Sequence, residues 1–177
     1  MPIASTGQLA TQEFMIASKE AGISLYLRNK HPADLTQFTA DRTLLFVHGA
    51  TYPAETAFDL ALNGLSWMDF IAAHGYDVYL VDVRGYGRST RPAQMDEPAD
   101  ANAPIVRAPT AIADLGCAVD FILKRRGITR LNLLGWSWGG QLAQLYTLRN
   151  PERVAGVVLV CPSASMRLET KVRSEEH

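Results

Sequence analysis

The sequence lacks a long hydrophobic run and an N-terminal targeting pattern. Its longest strongly apolar run, VAGVVLV at residues 154–160, is far shorter than the roughly 18 residues that a membrane-spanning helix needs. The N-terminus, MPIASTGQLATQEF, has no charged segment followed by an apolar stretch, so it does not resemble a signal peptide. We therefore expect a cytoplasmic protein with no membrane partner.

The sequence also lacks an excess of charge of either sign. Lys and Arg number 17 against 18 Asp and Glu, which gives a net charge of −1. This balance argues against a nucleic-acid partner and against an acidic tail. With 47% hydrophobic and 20% charged residues, the composition is that of a folded soluble domain. A chain of 177 residues can bury about 70% of its unfolded surface, which predicts one domain over residues 1–177.

Cysteine is scarce. Cys117 and Cys161 lie in apolar segments and form no CxxC motif. We expect both to be buried free thiols in a reducing compartment, in preference to a disulfide.

Strand patterns alternate with helix patterns along the chain. The runs TLLFVH and DVYLVD are typical of strands buried on both faces. Between them, Ser66 is placed to begin a helix with Asp69 as its capping partner, and Gly75 to end it. The pattern predicts an α/β fold with a mostly parallel open sheet flanked by helices. The proline-rich segment 91–109 is expected to be a long loop that borders a functional site.

The segment LNLLGWSWGGQLAQLY carries the chemistry. It contains G-x-S-x-G, with Ser137 between Gly135 and Gly139, after a predicted strand and before a predicted helix. This context is typical of a nucleophile elbow, in which glycines allow close backbone approach and the helix N-terminus faces a developing oxyanion. The alternative is an ordinary tight turn with an incidental serine.

On these residues the sequence resembles the N-terminal portion of the α/β-hydrolase superfamily. Three further segments match in the expected order: FVHGAT at 46–51, DVRGYGRST at 82–90 and NPERVAGVVLVCPSA at 150–164. The resemblance implies Ser137 as nucleophile. It also implies an oxyanion hole formed by the backbone N–H groups of Ala50 and Trp138.

Several neighbouring residues have a structural alternative. His48 is expected to brace its loop, since the family places the catalytic base near the C-terminus. Asp82 and Arg84 are expected to stabilise a loop by hydrogen bonding. Trp136 and Trp138 are either packing residues or pocket lining.

The sequence departs from the family after the serine, where the family places an acid and then a histidine. Here the acid candidate is Glu169, which is remote, and the histidine is the terminal residue, His177. A terminal residue cannot be held in the precise position that catalysis requires. His31 and His74 are expected at the surface. We interpret the chain as a truncated core domain, with residues 165–177 as a charged tail or the start of a cap. By itself it is expected to be inactive.

These patterns together predict a serine hydrolase that cleaves an ester, lactone or related acyl bond through an acyl-enzyme on Ser137. Amide and carbon–carbon bond substrates stay open, whereas a serine argues against the epoxide branch, which uses aspartate. The alternative is a non-catalytic ligand-binding protein or an inactive fragment. No metal or organic cofactor is implied, and the expected partner is a small-molecule substrate. Self-association is also expected through the edge at residues 154–160, which holds no proline or charge.

Overall fold

A six-stranded sheet forms the centre of the computed structural model, which describes residues 7–98 and 100–162. Its strands are β1 (Leu9–Ala17), β2 (Ser24–Pro32), β3 (Thr43–Val47), β4 (Asp77–Val81), β5 (Leu131–Trp136) and β6 (Val154–Val160). They lie in the order β1-β2-β4-β3-β5-β6. The β1–β2 and β2–β4 pairs are antiparallel, and the other three are parallel. The predicted mostly parallel sheet is confirmed, while residues 165–177 lie outside the described residues.

Helices cover both faces of the sheet. They are α1 (Ala54–Phe58), α2 (Trp67–Ala73), α3 (Ala108–Arg126) and α4 (Trp138–Arg149). On one face α3 and α4 pack against the sheet around Leu115, Leu133 and Tyr146. On the other, α1 and α2 close a second core in which the rings of Phe46 and Phe58 stack at 4.4 Å. None of the helices within the described residues combines the length and apolarity needed to cross a membrane.

Local sequence rules account for the start and end of α2. The Ser66 hydroxyl accepts the Asp69 N–H at 2.9 Å, and the Asp69 carboxylate accepts the Ser66 N–H at 3.1 Å. This is the predicted capping box, which satisfies two N–H groups that the helix leaves unpaired. Gly75 follows the helix with φ 85°, a conformation that glycine adopts without a Cβ penalty.

Two predictions about single residues are wrong. His31 is only 8% exposed, because its ring packs edge-on against Phe38 at 5.4 Å. Cys161 is free, as predicted, but exposed, because β6 ends at Val160 and the chain turns there with Cys161 at φ 44°. Cys117 is free and buried, as predicted.

The strand order creates a crevice at the carboxyl ends of β3 and β5, in the middle of the sheet. The chain leaves β3 through α1 and α2 toward β4, whereas it leaves the neighbouring β5 through α4 in the opposite direction, toward β6. In open α/β sheets, ligands bind outside the carboxyl ends of two such strands, where their connections diverge. The residues that follow β3 and β5 are therefore the first place to look for a site.

Candidate active site

Ser137 lies on the turn between β5 and α4 in a strained backbone conformation. Its φ is 54° and its ψ is −118°, a region that costs a non-glycine residue about 1–3 kcal/mol. Two hydrogen bonds hold the turn: the Ser137 N–H donates to Val160 O at 2.9 Å, and the Gly140 N–H donates to Ser137 O at 3.0 Å. One bond to the end of β6 and one within the first turn of α4 thus hold the residue predicted to be the nucleophile in this conformation.

Glycine backbone lies close to this turn on two sides. A Cβ atom added to Gly135 would lie closer than 3.0 Å to the carbonyl oxygen of Gly139, a separation that Cβ atoms do not reach. A Cβ added to Gly49, in the loop after β3, would lie 3.3 Å from the Cβ of Ser137. The main chain of the β3 loop therefore runs directly beside the serine.

A cavity of about 520 Å³ opens over the serine. It is lined by Ala50, Tyr86, Val106, Arg107, Ala108, Ser137 and Trp138. The structure thus brings together all three predicted site residues, Ser137, Ala50 and Trp138. Trp138 is the first residue of α4, so its N–H has no acceptor within the helix. The roles of nucleophile and oxyanion donor stay predictions.

His48 braces the loop that carries Ala50. The Val83 N–H donates to His48 Nε2 at 3.1 Å, so the ring proton is on Nδ1, which lies 2.7 Å from Gly49 O and donates to it. Burial lowers the pKa of His48 below its ordinary value of 6.5 and outweighs the opposing effects of Gly49 O and Asp82. A neutral ring with both nitrogens occupied cannot take a proton from Ser137, and the predicted bracing role is confirmed.

Asp82 and Arg84 stabilise the loops around the cavity, as predicted. The Asp82 carboxylate accepts the Ala54 N–H at 2.8 Å and the Arg88 N–H at 3.0 Å, which fixes the start of α1 and the loop after β4. The Arg84 guanidinium forms a two-pronged ion pair with Asp114 of α3 through bonds of 2.8 and 2.7 Å. Hydrogen bonds to Asp114 hold the pKa of Arg84 above its ordinary value.

The described lining of the cavity includes a serine hydroxyl but no side chain that is an ordinary general base. None of its described lining residues is a histidine, aspartate or glutamate. His74 lies in a separate apolar groove of about 490 Å³ between α2 and β6. Glu169 and His177 lie outside residues 7–98 and 100–162, so their placement is not described.

Sequence reasoning named none of the other four lining residues, Tyr86, Val106, Arg107 and Ala108, one by one. The prediction that segment 91–109 borders the site correctly located Val106 to Ala108. Tyr86 could have been found, because it lies between Gly85 and Gly87 in a predicted loop. An aromatic ring in such a loop has to pack against another segment of the chain. Trp136 lines a different cavity, with Tyr52.

Comparisons with known proteins agree with this architecture. A family model described as the alpha/beta hydrolase fold matches residues 42–175. A 2-hydroxy-6-oxononadienedioate/2-hydroxy-6-oxononatrienedioate hydrolase from Escherichia coli strain K12 is 29% identical over 153 residues, which cover 86% of this chain and 45% of that protein. The chain thus spans less than half the length of this relative.

Solved structures share the fold. The epoxide hydrolase VrEH1 from Vigna radiata superposes with a TM-score of 0.60 at 16% identity, covering 84% of this chain and 39% of that one. A predicted CIB-like hydrolase from Thermoplasma acidophilum superposes with a TM-score of 0.56 at 25% identity, covering 88% and 64%. At 16% identity, the first likeness is evidence for the fold alone.

Proposed function

The chain belongs to the α/β-hydrolase fold family, and from this premise we propose that it is a serine hydrolase that works through an acyl-enzyme on Ser137. One observation carries the proposal. Ser137 is held at φ 54° where the connections of β3 and β5 diverge, in one cavity with Ala50 and Trp138. Strain of this kind persists only where the surrounding structure imposes it, and it concentrates at functional sites.

The chemistry follows from these positions. Ser137 Oγ attacks the carbonyl carbon of the substrate, and the carbonyl oxygen becomes an oxyanion. The N–H groups of Ala50 and Trp138 stabilise that charge, an interaction whose removal typically costs 10²- to 10³-fold in turnover. Collapse of the intermediate expels the leaving group, and water then hydrolyses the acyl-enzyme.

The serine must also lose its proton to a base. His48 is neutral with both ring nitrogens in hydrogen bonds, and no described residue that lines the cavity can serve instead. The proposal therefore requires a base from outside residues 7–98 and 100–162. The expectation that this chain alone is nearly inactive rests on the same requirement.

Similarity to the E. coli relative adds ketones, hydrolysed at a carbon–carbon bond, to the substrates that we propose. The substrate in that protein's name is a ketone with two carboxylates and no ester or amide, so its hydrolysis breaks a carbon–carbon bond. The 29% identity runs over 86% of this chain, a stretch long enough to include Ser137 wherever in the chain it begins. We therefore propose ketones of this kind beside simple esters as substrates to test.

Steady-state kinetics of the complete gene product test the proposal. We expect hydrolysis of p-nitrophenyl butyrate or of the dienedioate ketone, with kcat reduced by roughly 10⁶ in Ser137→Ala. Thr147→Ala, which removes a hydroxyl from the same helix where it only bonds Ala143 O, is the matched control and should retain wild-type kcat. Full activity in Ser137→Ala would refute the nucleophile assignment.

The second candidate is a binding protein that retains the pocket without catalysis. The observation in its favour is that no carboxylate or imidazole lines the described cavity. Isothermal titration calorimetry with 2-hydroxy-6-oxononadienedioate distinguishes the binding protein from the hydrolase. Saturable binding by the complete gene product, with no turnover and no effect of Ser137→Ala on affinity, would support the binding protein.

A further inference from the structure

Ala50 is held from both sides by side-chain hydrogen bonds. On its N-terminal side, His48 Nδ1 donates to the carbonyl oxygen of Gly49 at 2.7 Å. That carbonyl shares a planar trans peptide with the Ala50 N–H, so the N–H points away from the buried imidazole. On its C-terminal side, the hydroxyl of Tyr86 donates to the carbonyl oxygen of Ala50 itself. The two bonds together restrict both backbone dihedrals of Ala50.

Tyr86 is itself held in place by its own loop. Its N–H donates to Val83 O at 3.0 Å, and its carbonyl accepts the Ser89 N–H at 3.0 Å. Its ring lies against the imidazole of His48, with centroids 4.6 Å apart. The same loop is tied to the end of β4, where Asp82 accepts the Arg88 N–H at 3.0 Å. The hydroxyl is thus presented to Ala50 by a fixed segment of chain.

We propose that Tyr86 is a positioning residue of the oxyanion hole: its hydroxyl holds the Ala50 carbonyl, on the peptide that follows the Ala50 N–H, and so limits the rotation at Ala50 that would turn this N–H away from the oxygen that becomes charged. The inference rests on the proposed function, since it assigns Tyr86 a part in acyl transfer to Ser137. Ala50 is exposed in a loop, where a residue without such a bond samples several conformations. A preorganised donor stabilises a developing charge because it does not have to reorient during the reaction.

The hydroxyl of Tyr86 has no second role in the reaction. Its one proton is committed to Ala50 O, so it is neither a general acid nor an oxyanion donor. A tyrosine hydroxyl is protonated at neutral pH, and burial raises the pKa of Tyr86 further above its ordinary value of 10.0. Its contribution to catalysis therefore passes entirely through Ala50.

The test compares two Tyr→Phe variants of the complete gene product. Tyr86→Phe retains the ring against His48 and removes only the donor. Tyr26→Phe is the matched control, because Tyr26 donates its hydroxyl to Glu13 at 2.9 Å, outside the cavity lining. With p-nitrophenyl butyrate we expect kcat of Tyr86→Phe to fall by about 10- to 100-fold, less than for a lost oxyanion donor. KM should stay within about twofold, since the hydroxyl acts on the transition state.

Two further measurements separate positioning from structure. The affinity for a phenylboronic acid, which mimics the tetrahedral intermediate on serine, should weaken in Tyr86→Phe in proportion to kcat. Genetically encoded 4-aminophenylalanine at position 86 restores an N–H donor and should restore kcat. If kcat and boronate affinity of Tyr86→Phe equal those of wild type while Ser137→Ala is inactive, the Tyr86 assignment is wrong and the proposed function stands. If Ser137→Ala retains activity, the proposed function itself fails.

Discussion

Gly139 packs its backbone directly against the carbonyl oxygen of Val47. A Cβ atom added to Gly139 would lie closer than 3.0 Å to that oxygen, so no other residue fits without moving α4 or β3. The contact joins the two elements that carry the candidate site, because Val47 ends β3 and Gly139 lies in the first turn of α4. The distance between the Ala50 loop and Ser137 depends on it.

Gly139→Ala should therefore destabilise the protein although alanine favours helices. We expect the free energy of unfolding in urea to fall by about 3 kcal/mol, the upper range for overpacking a close contact. The matched control is Gly116→Ala in α3, where an added Cβ would meet only a ring carbon of Tyr146 at 3.6 Å. There the helix propensity of alanine should stabilise by up to about 1 kcal/mol. Equal stability changes in the two variants would contradict the packing described for Gly139.

Loss of the buried ion pair between Arg84 and Asp114 should destabilise the protein more than loss of an exposed ion pair on the same helix. Asp114 is fully buried, so Asp114→Ala leaves the buried Arg84 charge paired only with Glu20, whose side chain is 65% exposed. We expect a cost of about 3 kcal/mol, the lower end of the range for breaking a buried ion pair. Asp120 of the same helix pairs with Arg153 at a site where the two side chains are 48% and 31% exposed. Asp120→Ala should cost less than about 1 kcal/mol. Urea titrations of both variants check the difference, and a cost for Asp120→Ala as large as that for Asp114→Ala would overturn it.

His48 should make stability depend on pH on the acid side of neutrality. Burial holds its pKa in the folded protein below the ordinary value of 6.5, so the unfolded chain binds the extra proton first as the pH falls. Its stabilising contribution is complete above about pH 6.5 and is lost below it, down to the pKa of the folded state. The free energy of unfolding, measured between about pH 5 and pH 8, should therefore rise with pH in the lower part of this range.

His48→Gln isolates that contribution. A glutamine amide can accept the Val83 N–H and does not titrate, so the slope below pH 6.5 should be smaller than in wild type by up to about 1.4 kcal/mol per pH unit. All other residues are the same in the two proteins, so the comparison isolates position 48. An unchanged slope would show that His48 is protonated equally in the folded and unfolded states.

We also propose that the free edge of β6 mediates self-association of this chain. Within the described sheet β6 pairs only with β5, and Val158 is 51% exposed. An edge strand with no charge or proline is a template for pairing with a second copy. Sedimentation of the 177-residue chain should show a dimer or larger species at tens of micromolar, reduced by Val158→Lys.

Leu148→Lys is the control for that experiment. Leu148 is 72% exposed on α4, so the added charge is the same but lies on a helix instead of the strand edge. A monomeric wild-type chain, or equal effects of the two lysines, would refute an interface at β6.

The features that could be predicted from the sequence are those that depend on residues close together in the chain. The capping box of Ser66 and Asp69 follows from side chains three residues apart, and the apolar runs of β3 and β4 follow from burial on both faces. Both features depend on neighbours in the chain. The bracing role of His48 was expected for a different reason, because the family that the sequence resembles places its catalytic base near the C-terminus.

The rest depends on contacts between distant segments. Tyr86 meets Ala50 across 36 residues of sequence, a contact that exists only because β3 and β4 are neighbours. The short helix α1 has no pattern of its own and begins where Asp82 accepts the Ala54 N–H. His31 is buried by Phe38, which lies beyond the end of its strand. The hydrophobic pattern of the sequence does not predict contacts of this kind between different segments.

Covalent labelling of the complete gene product by a fluorophosphonate probe, read out by peptide mass spectrometry, tests whether Ser137 is the nucleophile. We expect one adduct, on the peptide that contains Ser137, and no adduct in Ser137→Ala; Thr147→Ala should label as wild type does. An adduct that persists at another residue in Ser137→Ala, or an unlabelled Ser137 in a folded and hydrolytically active protein, would contradict the assignment of Ser137 as the nucleophile.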